Sequence, residues 1–124
     1  LFVQDKIQSS KERPILELMS RLAQLEAMLA KSPDDSFLLF AVAKEYEKAS
    51  DLEQALNFYT RLVEKDADYV GTYYHLAKLY EKIEQPERAL DTYATGMEVA
   101  RRVGDQHALA ELSSAKLNLE MEDM

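Results

Sequence analysis

The sequence predicts an all-α protein, a right-handed superhelical stack of antiparallel helix hairpins. The first observation behind this is a 34-residue offset. Residues 36–69 (SFLLFAVAKEYEKASDLEQALNFYTRLVEKDADY) and 70–103 (VGTYYHLAKLYEKIEQPERALDTYATGMEVARRV) agree at ten positions, where chance alone gives roughly two. The second is composition. Three Gly, three Pro and abundant Ala, Leu, Glu, Lys and Gln fit a nearly all-helical chain. The third is that each apolar stripe recurs at steps of three and four. A single such helix is not stable alone, so the hairpins must stack.

Taken in order, residues 1–13 (LFVQDKIQSSKER) carry no sustained stripe and read as an N-terminal arm, flexible or swapped between copies, with Phe2, Val3 and Ile7 available to dock. Pro14 suits a first helical turn, where its missing N–H costs nothing. Leu18, Leu22, Leu25, Met28 and Leu29 then predict a helix over about 15–30, ended by Ser32-Pro33-Asp34-Asp35. Leu39, Val42, Ala43 and Tyr46 predict a helix over about 36–49. Ala49-Ser50-Asp51 turns the chain, with Asp51 as N-cap and Gln54 completing a capping box. Ala55, Leu56, Tyr59, Leu62 and Val63 mark a helix over about 52–66. The next 34 residues repeat the arrangement with Tyr73, Leu76, Ala77 and Tyr80, a turn at Glu84-Gln85-Pro86, then Ala89, Leu90, Tyr93 and Met97. Gly104-Asp105 stops and restarts the chain. A last helix over about 105–119 shows Leu109, Leu112, Ala115 and Leu119, and 121–124 read as an acidic, frayed tail. Small residues at Ala43/Ala77 and Ala55/Ala89 let paired helices approach closely, and Tyr46/Tyr80 and Tyr59/Tyr93 fill the space between units.

These residues resemble the tetratricopeptide repeat, whose pattern is W-x2-L-G-x2-Y…A-x3-F…P. Leu39-x2-Val42-Ala43-x2-Tyr46 with Ala55-x3-Tyr59, and Tyr73-x2-Leu76-Ala77-x2-Tyr80 with Ala89-x3-Tyr93, follow it with mild departures. The closing Pro is lost at Ala67 and Arg101, but Pro33 lies 34 residues before Ala67. The resemblance therefore reads one domain over 14–120: a half repeat 15–35, repeats 36–69 and 70–103, and a capping helix 105–119. It implies a non-catalytic scaffold or adaptor that binds a peptide or protein segment in a concave groove.

In the first helix of each repeat a second stripe lies opposite the packing stripe: Phe37, Phe40, Lys44 and Lys48, then Tyr74, His75, Lys78 and Lys82. By resemblance this face lines the groove. Four lysines with aromatics favour a ligand with an acidic or carboxylate group plus an apolar anchor. The strip holds no Asn, which the family's carboxylate clamp uses beside Lys and Arg. The other reading is that these aromatics pack on the arm or caps while the lysines, interleaved with Glu47 and Glu81, are solvated. Glu45, Glu47, Asp66 and Asp68 read as polar-face or turn residues.

A net charge of −8 argues against nucleic acid. With no Cys and only His75 and His107, no metal site is expected, and no cofactor. No Gly-rich phosphate loop and no catalytic triad spacing is present, so no catalytic residue is expected. No apolar run approaches about 20 residues, so no membrane partner is expected. A cytoplasmic setting is the default expectation, and self-assembly as a homodimer is the alternative function.

Overall fold

The computed structural model describes residues 13–122, which form six α-helices and no strand. They are α1 (Arg13–Lys31), α2 (Ser36–Lys48), α3 (Leu52–Lys65), α4 (Gly71–Lys82), α5 (Pro86–Val103) and α6 (Gln106–Glu122). The expected arm lies outside the described residues except for Arg13, which opens α1. The helix expected to end near 119 continues through Met121 and Glu122, with Leu119 buried in its last turns, and residues 123–124 of the expected tail lie outside the described residues.

The chain divides into two compact units, 1–58 and 59–124, with the boundary inside α3. In the first unit α1 packs on α2, burying Leu29, Leu38, Leu39, Val42 and Ala43. Fully burying a Leu or Val side chain stabilises by about 1.5–3 kcal/mol. The helices here begin on aspartates: Asp35 Oδ1 accepts the Leu38 N–H at 3.1 Å, and Asp51 Oδ1 accepts the Gln54 N–H at 3.2 Å. Each satisfies one of the orphan donors of a first turn. Ser50 turns the chain at φ 61°.

In the second unit α5 packs against both α4 and α6. Tyr73, Ala77, Ala89, Tyr93, Val99, Ala100, Leu112, Ala115 and Leu119 form its core. The expected close approach is present, since Ala77 and Ala89 are completely buried. Pro86 is the first residue of α5, Glu84 turns the chain before it at φ 60°, and Gly104 ends α5 at φ 79°. Asp105 then accepts the Ala108 N–H at 2.9 Å and caps α6. The tyrosine expectation is half met. Tyr59 and Tyr93 are fully buried, whereas Tyr46 and Tyr80 are only half-buried.

Glu45 does not lie on a polar face. It is 5% exposed, because α1 sets Arg21 against it at 3.2 Å, and Lys48 reaches the same oxygen at 3.5 Å. Its other oxygen, and the hydroxyl of buried Thr72, find no hydrogen-bond partner among the described residues.

Candidate functional site

The expected site residues fall four in each unit. On α2, Phe37 stands out at 68% exposure in the first turn. Phe40 and Lys44 are half-buried one and two turns further on. Lys48 is exposed yet leans back on Glu45. On α4, Lys82 is exposed while Tyr74, His75 and Lys78 are half-buried. The His75 ring lies between two tyrosines. It stacks on Tyr59 at 6.2 Å and meets the edge of Tyr74 at 5.7 Å. It is thereby a packing element that orients Tyr74.

Lys78 is held at two points. Its Nζ lies 5.7 Å from the centroid of the Tyr74 ring, within the reach of a cation–π contact. It also lies 3.7 Å from Glu81, one turn on. Glu81 in turn accepts the hydroxyl of buried Tyr93 on α5. Burial, and then this hydrogen bond to a carboxylate, push the Tyr93 phenol well above its ordinary value. The chain of contacts Tyr93, Glu81, Lys78, Tyr74 ties the half-buried Lys78 to the core.

Tyr74 and Lys78 form one wall of a cleft of about 390 Å³. The other wall comes from α6: His107, Ala110, Glu111, Ser114, Ala115 and Asn118. The residues lining it include one ammonium, one amide, the hydroxyl of Ser114, an imidazole 90% exposed, the phenol ring of Tyr74 and one carboxylate at Glu111. Asn118 supplies the amide that is missing from the α4 strip. Sequence reading assigned α6 only to capping, and its one usable signal was the i, i+4, i+7 row of small or polar residues Glu111, Ala115 and Asn118. Among the described residues no group of three His, Cys, Asp or Glu side chains could hold a metal ion. None of the described helices is long and apolar enough to cross a membrane.

Period, paired helices and interhelical cleft define a helical-repeat protein. The model of the tetratricopeptide repeat matches residues 46–112, and the chain belongs to that family. A TPR repeat-containing protein of Pseudomonas aeruginosa is 33% identical over 89 residues, covering 72% of this chain and 85% of that protein. The solution structure of a tetratricopeptide repeat domain protein from Salinibacter ruber is 51% identical, covers 71% of this chain and 89% of its own, and superposes with a TM-score of 0.69. The complex of the TPR2B domain of yeast Sti1 with pHsp70 covers 96% of this chain and 95% of its own at a TM-score of 0.79, with 14% identity. That last likeness shows the fold class expected from the period, the all-α helical-hairpin repeat.

Proposed function

We propose that this protein is a non-catalytic interaction scaffold that holds a peptide or protein segment, with the cleft between α4 and α6 as a binding surface. The carrying observation is Lys78, held over the Tyr74 ring in a cleft that Asn118 also lines. A preordered ammonium loses little freedom when it meets an acid, and an amide in the same cleft can serve the peptide backbone. This favours a segment bearing an acidic or carboxylate group, with an apolar side chain against the Tyr74 ring. The α2 face, with Phe37, Phe40, Lys44 and Lys48, offers the same chemistry within its own unit. The family context supports the reading, as does the Sti1 domain, whose structure holds pHsp70.

The test is a displayed-peptide selection on the full chain, followed by titration of the selected peptide. Lys78→Glu is expected to weaken binding at least about 10-fold with an unchanged circular-dichroism spectrum. Lys44→Glu reports separately on the α2 face. Equal affinity for the Lys44→Glu, Lys78→Glu double variant would remove both faces from the proposal.

A further inference from the structure

The α4–α6 cleft carries charges of both signs, and they do not balance. On the α4 wall Lys78 is already bridged by Glu81 at 3.7 Å. On the α6 wall the carboxylate of Glu111, 51% exposed, has one ion-pair partner among the described residues. That partner is the imidazole of His107 at 4.0 Å, one turn back, a cation only when protonated. The other places a helix offers to Glu111, at three and four steps, hold Ala108, Ser114 and Ala115, none of them charged. Lys116 of α6 is engaged by Glu120 at 3.0 Å, and neither it nor the exposed Lys82 of α4 lines the cleft. Asp105, the cap of α6, adds a further carboxylate near His107. Lys78, Glu81 and Glu111 together leave the cleft one negative charge in excess. The 124 residues as a whole carry a net charge of −8, a field that repels acidic segments and draws cationic ones.

Resting on the reading of this cleft as a binding surface, we infer that it takes an amphoteric segment. The acidic group of that segment meets Lys78, while a lysine or arginine side chain close by in the same segment meets Glu111. A volume of about 390 Å³ lies at the small end of ligand sites, so a segment lying in it meets both walls together. A purely acidic segment would compete with Glu81 for Lys78 and set its charge beside Glu111, which no cation of the protein neutralises at neutral imidazole. Glu111 therefore works against such a segment, and a cation opposite it turns the same charge into an attraction. Arginine fits this role well, because its planar guanidinium meets a carboxylate with two parallel N–H donors. Lys78 is then the anchor of the cleft and Glu111 its specificity-determining residue.

The test pans one random displayed-peptide library on the full chain and on its Glu111→Lys variant. The parent is expected to enrich peptides that hold an acidic residue with a Lys or Arg near it, and Glu111→Lys to enrich acidic peptides without the base. The strongest parental peptide, and a copy with its basic residue changed to Ala, are then titrated against the parent and against Glu111→Gln. The circular-dichroism spectra of the two chains should coincide, since Glu111 is half exposed. Removing the base should weaken binding to the parent about 5- to 10-fold and to Glu111→Gln less than about two-fold. Equal losses in the two chains, or parental peptides that lack a basic residue and are still weakened by Lys78→Glu, overturn the inference while the binding surface stands. Affinity indifferent to Lys78→Glu, or a library that yields no binder, overturns both.

Discussion

The two units solve the same packing problem with different residues, and the 34-residue offset lines the solutions up. Where α3 and α5 carry Ala55 and Ala89, both completely buried, α1 carries Arg21. Where α4 buries Leu79, α2 buries Glu45. The first unit thus holds an Arg21–Glu45 pair at 3.2 Å, at positions that the 34-residue offset fills with Ala55 and Leu79. A second exchange is one of volume. It runs between repeats rather than units: Leu39 and Leu62 are replaced 34 residues later by Tyr73 and Gly96, a larger side chain in one place and none in the other. A third concerns helix starts. Asp35 and Asp51 cap α2 and α3, whereas α4 and α5 begin on Val70 and Gln85 without a side-chain cap. Asp105 of the second unit caps α6 as Asp35 and Asp51 cap their helices, so the contrast lies in the cores: an ion pair at Glu45 in the first unit, tight apolar packing about Gly96 in the second.

The largest effect should come from filling the Gly96 gap. A Cβ there would stand 2.5 Å from Tyr73 Cβ and 3.1 Å from Leu112 Cδ1, too close for either neighbour to ignore. Gly96→Ala is expected to cost about 1–3 kcal/mol in urea unfolding, although helix propensity alone would favour Ala by about 1 kcal/mol. A variant as stable as the parent would show that the second unit is not packed this tightly.

Next comes the ion pair. Arg21→Ala leaves Glu45 buried with only Lys48 near it. Because the Arg21 side chain is itself 56% exposed, the expected loss is about 1–2 kcal/mol rather than the larger cost of breaking a fully buried pair. Copying the residues found 34 positions later, with Arg21→Ala and Glu45→Leu together, should recover that loss. Failure of the double variant would mean that the pair specifies geometry which an apolar contact cannot replace.

The smallest effect is alkaline. Tyr46 donates to Glu26 and Tyr93 to Glu81. The hydrogen bond, more than burial, raises the Tyr46 phenol to about 12; for Tyr93 burial is the larger cause of its rise. A phenol raised in the folded state contributes stability that is complete below its unfolded value near 10. That contribution is lost as pH climbs from there toward the folded value. The thermal midpoint should therefore hold to about pH 10 and fall above it, with Tyr93→Phe flattening the fall. A midpoint already declining between about pH 8 and 9.5 would assign the alkaline limit to other groups.

Much of this was legible beforehand, for reasons particular residues show. The helix starts at Asp51 and Pro86 were readable because capping chemistry is local: an aspartate three residues before a free N–H needs no distant partner. Ala77 and Ala89 were readable because their 34-residue twins repeat them. Glu45 was not, since a carboxylate in a helical pattern looks solvated until Arg21 of the preceding helix is set against it. Gly96 was missed because a glycine within a helix signals weakness until a Tyr73 ring is seen to need its space. Half of the cleft was missed for the same kind of reason, as Asn118 and Ser114 lie about 40 residues from Lys78 along the chain.

By itself the sequence determined the period, the all-α class, the turns and the inward alanines. Each follows from backbone propensity and apolar spacing within about one repeat of chain. Only the tertiary structure decided which polar groups are buried, which volumes compensate each other, and that α4 shares a cleft with α6. Those outcomes depend on side chains brought together from separate helices, where burial and exclusion of water set the energy and sequence spacing carries no record of it.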